Sequence, residues 1–338
     1  MPWNISGHLY KYLNVSFFDS TFMMSNTIDS SSTYTFASKV KDYFLLSKFT
    51  LSFTVVFTCV ICYLLAPNIS GGWQMAILLF IAGLLVTASA NAINQGVEKD
   101  TDAMMRRTGK RPVAEGRMSD TEAFTFAWIA GGIGVLMMWY FFNFPSALLS
   151  AISLFIYAFV YTPLKKKSAL AVLVGALPGA LPCLIGWVAA TGIINPFTDI
   201  RIGDFAILNA AGWALFGIQF FWQFPHFWAI AWVAHTDYTK AGFKLLPNEK
   251  GPTKYTALQA IMYAVMMLPV GLLPYYFHIS GIVSLWIIVA ANIFIVIQCI
   301  RLYTGMQVKD AKRVMFSSYI YLPVVYLSLL ADKINYHF

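Results

Sequence analysis

Three side chains with oxygen ligands lie four residues apart, at Asn94, Glu98 and Asp102. If a helix continues through them, this spacing places all three on one face. Hard cations such as Mg²⁺ prefer oxygen ligands and usually share their coordination shell with phosphate. The acids are followed by four basic residues, Arg106, Arg107, Lys110 and Arg111. The pattern predicts a metal site for a diphosphate, and the alternative is a solvated helix end with i,i+4 ion pairs.

A second group of ionisable residues lies further along the chain. His226 is the one histidine within a long apolar segment close to a basic loop, and Asp237, Tyr238 and Lys240 follow it. Ionisable groups at membrane depth are costly, so a cluster of them indicates a functional site. For His226 itself, a core histidine satisfied by hydrogen bonds is an equally good interpretation.

The composition indicates which elements position these residues. The chain has 338 residues, of which 59% are hydrophobic and only 11% are charged, far outside the range of soluble domains. We predict an all-α integral membrane protein whose four cysteines are buried thiols within its spans. Nine segments are long enough to cross about 30 Å of hydrocarbon. They are 47–66, 72–94, 122–142, 145–162, 168–190, 204–233, 255–276, 280–300 and 315–331.

The basic residues test this division, because Lys and Arg in short loops lie on the cytoplasmic side. With the N-terminus in the cytoplasm and the C-terminus in the periplasm, only Arg201 and Lys333 fall outside among all 23 Lys and Arg. The loops thus account for the net charge of +8, and no nucleic-acid partner is needed to explain it.

Residues 1–40 are rich in Ser, Thr, Asn and Phe, contain no Arg, and include Asp19 and Asp29. This composition is unlike a mitochondrial transit peptide, and there is no cleavable signal pattern. We predict a cytoplasmic or interfacial arm over 1–44 and a membrane domain over 45–338. A bacterial inner membrane is the simplest location.

Several segments resemble a known family. The motif that includes the three spaced residues is similar to the first motif of the UbiA-type intramembrane prenyltransferases. Its residues are Asn91-Ala-Ile-Asn94-Gln95, Glu98, Asp102-Ala-Met-Met-Arg106-Arg107-Thr108 and Arg111-Pro112. Other segments are similar to the branch of that family that acts on heme. They are Tyr161-Thr-Pro163-Leu-Lys165, Val174–Pro182, Pro225-His226-Phe227 and Asp237-Tyr238 through Leu246-Pro247. The resemblance runs from about residue 45 to the last span and implies the UbiA-type bundle of nine transmembrane helices.

For this branch, the resemblance implies transfer of a farnesyl group from farnesyl diphosphate to the vinyl group of heme B, with water supplying a hydroxyl. It implies that Asn94, Glu98 and Asp102, together with Asp237, are catalytic residues and ligands of Mg²⁺. The residues implied to bind phosphate, heme iron or heme propionates are Arg106, Lys110, Arg111, Lys165, His226, Tyr238 and Lys240. Heme B is then a substrate and not a prosthetic group. The lipid bilayer surrounds the protein, and heme A synthase is a candidate partner.

Two positions depart from the family pattern. Glu98 stands where many members carry Asp, which preserves the ligand chemistry. Ala241 stands four residues after Asp237, so a second complete carboxylate pair is in doubt. Two alternatives stay open. A prenyltransferase for a quinone precursor or a chlorophyll-type acceptor would use the same metal site. A transporter would need acids through the bilayer midplane, whereas these acids gather at one face.

Overall fold

The computed structural model describes residues 35–67, 69, 71–248 and 250–334. The helices are α1 (Phe36–Leu46), α2 (Phe49–Leu65), α3 (Gly72–Val97), α4 (Lys99–Ala103), α5 (Asp120–Phe141), α6 (Phe144–Phe155), α7 (Thr162–Leu164), α8 (Ala171–Thr191), α9 (Ala210–Val233), α10 (His235–Lys240), α11 (Lys254–Tyr276), α12 (Ile282–Gly305) and α13 (Val308–Ala331). A π-helical turn (Ile156–Tyr161) joins α6 to α7, and strands β1 (Asp199–Ile202) and β2 (Phe205–Leu208) lie between α8 and α9. The predicted helical architecture is confirmed, with this strand pair as the exception.

Seven helical segments among the described residues are long and apolar enough to cross a bilayer. They are Gly72–Val97, Asp120–Phe141, Phe144–Leu164, Ala171–Thr191, Lys254–Tyr276, Ile282–Gly305 and Val308–Ala331. Helices α1 and α2, bent by 50° at their junction, would together form an eighth. The predicted count of nine is therefore not confirmed. Helix α9 has 24 residues, but Gln219, Gln223 and His226 lower its hydropathy.

The predicted span over 204–233 is wrong at its start. Residues 199–208 form an antiparallel hairpin in which Ile202 pairs with Phe205, and α9 begins only at Ala210. The two-residue loop of the hairpin begins with Gly203 at φ 58°, a conformation suited to glycine in tight hairpins. Alternation in Asp199-Ile-Arg-Ile202 is the local signal for a strand, which the apolar run after it obscured.

The loops gather in two sets at the ends of the helices. In the first set, the Lys244 amide donates to the Lys165 carbonyl oxygen at 2.8 Å, and Arg107 reaches Tyr238. In the second set, the Asn143 side chain donates to the Val188 carbonyl oxygen at the end of α8. The first set contains the loops that the sequence analysis placed in the cytoplasm.

Two side chains just after α13 form hydrogen bonds with the ends of two other helices. The Asp332 carboxylate accepts a hydrogen bond of 2.7 Å from the Ser284 amide, in the first turn of α12. The Lys333 ammonium donates to the carbonyl oxygens of Leu64 and Ala66 at 2.6 and 3.0 Å, where α2 ends. These side chains satisfy helix-end groups that have no partner within their own helices.

Small residues in α8 allow close approach of the elements around the site. A Cβ at Gly175 would lie 2.6 Å from the Tyr161 ring, and one at Gly179 would overlap the side chain of Gln223. Small residues at these positions therefore serve close helix packing. All four cysteines are buried and free, as predicted.

The chain divides into two units, Met1–Val40 and Lys41–Phe338. The described part of the first unit, residues 35–40, includes the start of α1. Most of the predicted arm, residues 1–44, lies outside the described residues. Its boundary and its role stay predictions.

Candidate active site

The three spaced residues form a ladder on one helical face. The Glu98 amide donates to the Asn94 carbonyl oxygen at 3.0 Å, and the Asp102 amide donates to the Glu98 carbonyl oxygen at 2.7 Å. Helical hydrogen bonding therefore continues from α3 into α4, as the spacing requires. Asn94, Glu98 and Asp102 are only 2%, 5% and 1% exposed. A solvated helix end is excluded by this burial.

Two of the predicted phosphate-binding residues pair with the acids of the ladder. Lys165 Nζ lies 2.5 Å from Glu98 Oε1, and Arg111 Nη1 lies 2.5 Å from Asp102 Oδ2. Burial lowers the pKa of the Lys165 ammonium, and the Glu98 carboxylate partly offsets this. The second oxygen of Asp102, Oδ1, is buried and has no hydrogen-bond partner among the described residues. A buried anionic oxygen without a donor is a suitable ligand for a hard cation.

The π-helical turn places tyrosines beside the ladder. Pro163 has no amide hydrogen, and Thr162 donates both its amide and its hydroxyl to the Tyr157 carbonyl oxygen. The Asn94 side-chain amide in turn donates to Thr162 Oγ1 at 3.4 Å. Lys165 Nζ lies 4.9 Å from the ring centroid of Tyr161, within cation–π distance. Such turns often occur at functional sites.

The second ionisable group approaches the first through aromatic and basic contacts. Arg107 donates to the Tyr238 hydroxyl at 3.1 Å. Asp237 is half-buried in the first turn of α10. Among the described residues, no three His, Cys, Asp or Glu side chains lie close enough together to hold one metal ion. Asp237 is thus not grouped with Glu98 and Asp102, and its role as a fourth ligand stays a prediction.

The remaining predicted substrate contacts lie at the surface. Arg106, Lys110 and Lys240 are exposed. Among the described residues, no hydrogen bond or ion pair joins their side chains to the ladder, in contrast to Lys165 and Arg111. Surface cations of this kind attract anions over several ångströms without forming a fixed site.

His226 is held by α13. Its Nδ1 lies 2.8 Å from Ser318 Oγ, and that hydroxyl donates to the Met315 carbonyl oxygen at 2.6 Å. Because the serine hydrogen is used, Nδ1 is the donor and Nε2 keeps its lone pair. The imidazole stacks on Trp222 at 4.4 Å and lies 5.2 Å from the Tyr319 ring. The histidine is both a satisfied core residue and a potential ligand.

Tyr319 connects His226 to the second loop, because it lies within electrostatic reach of Arg107 and Tyr238. The ring of Tyr319 therefore lies near His226 and near the pair Arg107 and Tyr238. The sequence indicated only that His226 precedes Tyr238. It did not indicate that Tyr319 of α13 lies near both of them.

Two residues beside the ladder were missed by the sequence analysis. Lys48 Nζ donates to Asn94 Oδ1 at 3.1 Å, although its sequence position indicated only a cytoplasmic charge. Tyr157 lies within electrostatic reach of Glu98 and Asp102. The available signals were a lysine between two apolar helices and a tyrosine four residues before Tyr161.

An apolar cavity of about 120 Å³ lies beside the ladder, between α2, α3, α5, α6 and α8. Asn91 and Tyr157 line it, as do aliphatic residues such as Val56, Leu79 and Ile185. Asn91 is one helical turn from Asn94, so the cavity adjoins the polar site. A chain of hydrocarbon character suits such a lining.

The chain is similar to known proteins over most of its length. The UbiA prenyltransferase family matches residues 55–320. A protoheme IX farnesyltransferase of Cytophaga hutchinsonii is 42% identical over 301 residues, which cover 88% of this chain and 99% of the relative. A protein of the same description from Flavobacterium johnsoniae is 38% identical, over 86% of this chain and 94% of the relative.

Two solved structures share the fold. One, of a digeranylgeranylglyceryl phosphate synthase, has a TM-score of 0.70 at 20% identity and covers 87% of this chain and 98% of its own. The other is a UbiA homologue from Archaeoglobus fulgidus bound to GPP and Mg²⁺, with a TM-score of 0.61 at 16% identity, over 86% of this chain and 99% of its own. From the match over residues 55–320 and from the identity to these relatives, we conclude that the chain belongs to the UbiA prenyltransferase family.

Proposed function

We propose that the protein transfers the farnesyl group of farnesyl diphosphate to a vinyl group of heme B. The support is the 42% identity, over 99% of its length, to a protein named protoheme IX farnesyltransferase. The carbon–oxygen bond of farnesyl diphosphate breaks, diphosphate leaves with the bonding electrons, and the allylic carbon bonds to the vinyl carbon. Water then supplies the hydroxyl and releases a proton. The enzyme is therefore a polyprenyl-group transferase that makes heme O, a precursor of the heme A of cytochrome oxidase.

The observation that carries the proposal is the buried ladder with one unsatisfied carboxylate oxygen, Asp102 Oδ1. Asn94, Glu98 and Asp102 would hold a divalent cation, and Asp237 is a proposed further ligand. Mg²⁺ bound there would act as a Lewis acid toward the diphosphate leaving group. These oxygen donors suit Mg²⁺ better than a soft metal ion.

The cations around the ladder would bind the phosphate oxygens. Lys165 and Arg111 already lie within ion-pair distance of the two acids, so their donors point into the same small volume. Preorganised donors of this kind stabilise charge that develops on a leaving group without reorganisation cost. Arg106 and Lys110, which are exposed, would contribute long-range attraction for the anionic substrate.

The apolar cavity, with a volume of about 120 Å³, would receive the part of the isoprenoid chain nearest the diphosphate. It begins one helical turn from Asn94 and is lined by aliphatic side chains, with Tyr157 at its polar end. A hydrocarbon lining keeps bulk water away from an allylic cation, which water would quench. The cavity and the ladder together suit a substrate with an apolar tail and a diphosphate head.

Heme B would bind at the α9 and α13 surface beside the second loop. His226 Nε2 keeps a lone pair that suits iron, while Tyr238 and Lys240 would contact the propionates. Lys165 is a further candidate for a propionate contact. A quinone precursor or a chlorophyll-type acceptor is not favoured, because the relatives cited above bear the name of a heme-directed enzyme.

The proposal also covers the membrane location of the protein and the number of its spans. The structure is that of a multi-pass membrane protein, and we propose the bacterial inner membrane with nine spans, a cytoplasmic N-terminus and a periplasmic C-terminus. Helix α9 would be the ninth span, since Asn209 before it contacts the α8 end of the bundle at Ile193 and its other end leads to the loop of Tyr238. Heme A synthase is the proposed partner that receives the product.

The test is a product assay with purified protein in lipid nanodiscs, given deuterium-labelled farnesyl diphosphate, Mg²⁺ and heme B. We expect the mass of heme to rise by one labelled farnesyl group plus one hydroxyl group, because these two groups add across the vinyl double bond. A parallel reaction offers 4-hydroxybenzoate as acceptor. Prenylation of the phenolic acid without any heme product would contradict the proposal.

A further inference from the structure

The junction between α1 and α2 has an unusual backbone. Lys48, which stands immediately before α2, has φ 46° and ψ 54°, in the left-handed region. Residues with a Cβ rarely adopt this conformation, and glycine or asparagine are the usual choices. A lysine in this position therefore indicates that its side chain has a role that glycine cannot fill.

Polar side chains of α3 hold the junction in place. Gln95 donates through Nε2 to the carbonyl oxygens of Leu45 and Leu46, at 3.0 and 2.8 Å. Asn91 donates through Nδ2 to the Ser47 carbonyl oxygen at 3.1 Å. These carbonyl groups lie where α1 ends, and two of them have a second donor: the Lys48 amide for Leu45 and the Ser52 hydroxyl for Ser47. Two residues of the first motif thus fix the break between the helices instead of lining the metal site.

The result is an ammonium group aimed at the ladder. Lys48 Nζ donates to Asn94 Oδ1 at 3.1 Å. It lies within electrostatic reach of two cations, Arg111 and Lys165, and of the acids Glu98 and Asp102. Those two acids already have basic partners in Lys165 and Arg111. Among the described residues no ion pair includes Lys48, whose hydrogen-bond acceptor is a neutral amide. A partly buried ammonium beside two neutralised acids is a binding site for an additional anion.

We propose that Lys48 is a third cation of the diphosphate site, delivered by the break between α1 and α2, and that its ammonium binds a phosphate oxygen of farnesyl diphosphate. This inference rests on the proposed function. Asn94 orients the ammonium through one lone pair of Oδ1, which leaves the second lone pair for the divalent cation. Gln95 and Asn91 are positioning residues, because they act through the backbone that carries Lys48 and do not touch the substrate.

The competing explanation is structural, with Lys48 serving only to close the helix junction against Asn94. The two explanations differ in their effect on stability. If the side chain only closed the junction, every substitution would lower the thermal midpoint and impair all functions together. If it binds phosphate, Lys48→Gly relieves the left-handed backbone and is at least as stable as the native chain, yet binds diphosphate poorly.

The experiment compares the full-length protein with Lys48→Met, Lys48→Arg, Lys48→Gly and the control Lys166→Met in nanodiscs. Lys166 is exposed and lies beside Lys165 in the neighbouring loop. Initial rates are measured against farnesyl diphosphate at saturating heme B, together with the inhibition constant of inorganic diphosphate and the thermal midpoint.

We expect Lys48→Met and Lys48→Gly to raise the KM for farnesyl diphosphate and the inhibition constant for diphosphate by about 10- to 100-fold, the value of one charge-assisted hydrogen bond. Lys48→Arg restores most of the loss, and Lys166→Met changes neither constant. An unchanged inhibition constant in Lys48→Met would overturn the proposal, whether or not the thermal midpoint falls. Should the native protein fail to farnesylate heme, the proposed function fails, and calorimetric titration of inorganic diphosphate with Mg²⁺ into the same variants still decides the role of Lys48.

Discussion

Asp102→Asn replaces one carboxylate oxygen of the ladder with an amide nitrogen of nearly the same size. The backbone of Asp102 keeps its bond from the Thr108 hydroxyl at 3.0 Å, so the local turn is retained. The substitution removes the negative charge that pairs with Arg111 and the unsatisfied oxygen that we assign to the metal ion. The substitution therefore tests the effect of the charge on activity while the side-chain volume stays nearly the same.

Its two effects differ in magnitude. Breaking a fully buried ion pair costs about 3–5 kcal/mol, and we expect about 2 kcal/mol here because the partly exposed Arg111 can rehydrate. Arg111 retains 21% exposure of its side chain. Removal of one group that stabilises a developing anion lowers kcat by about 100- to 1000-fold. The variant should still fold. Its kcat should fall much further than the loss in free energy of unfolding can explain.

Asp310→Asn is the matched control. Asp310 is 3% exposed and pairs with Arg313 at 3.0 Å. It lies in the first turn of α13, whereas Asp102 lies in α4. Both variants are assayed for farnesylated heme by mass spectrometry and for thermal midpoint by intrinsic fluorescence. We expect Asp310→Asn to lose stability and keep its kcat. Equal and small losses of kcat in the two variants would refute the assignment of the ladder.

Three further changes and one labelling experiment test other parts of the molecule. Chelation of divalent metal should abolish turnover, and added Mg²⁺ should restore it in the same sample. His226→Ala should weaken heme B binding, followed by Soret absorbance, while leaving farnesyl diphosphate binding unchanged; equal loss of both would indicate a structural histidine. Lys333→Met should lower the free energy of unfolding by about 1–3 kcal/mol, because two charge-assisted bonds to the end of α2 are lost; the exposed Lys167→Met should not. Cysteine introduced at Lys110 should react with an impermeant reagent from the cytoplasm, and cysteine introduced at Phe197 from the opposite side; labelling of both from one side would contradict the topology.

The ladder could be predicted from the sequence because it depends on local helix geometry. Side chains four residues apart share a face wherever the helix continues, and here the hydrogen bonds continue through Glu98. The gathering of the basic loops at one end of the helices was predictable for a similar reason, since charge distribution follows from the membrane rather than from packing. The cytoplasmic side of these loops stays a prediction. Both inferences need no knowledge of which helices are neighbours.

The partners of the ladder could not be predicted in this way. Lys48 and Asn94 are 46 residues apart in the chain, and the contact exists only because α1 and α2 break beside α3. His226 was recognised as a candidate, but its serine partner lies on α13, 92 residues later. The hairpin before α9 was missed because apolar residues on both sides of it resemble the start of a span.

In the proposed mechanism, the buried ladder holds a divalent cation together with the diphosphate of the substrate. Mn²⁺ reports on this directly, because its electron paramagnetic resonance signal changes when the ion leaves water for a protein site. We expect the native protein to bind Mn²⁺ tightly in the presence of farnesyl thiodiphosphate, an unreactive substrate analogue, and Asp102→Asn to bind it much more weakly under the same conditions. Mn²⁺ binding of equal strength in Asp102→Asn and the native protein would contradict the account.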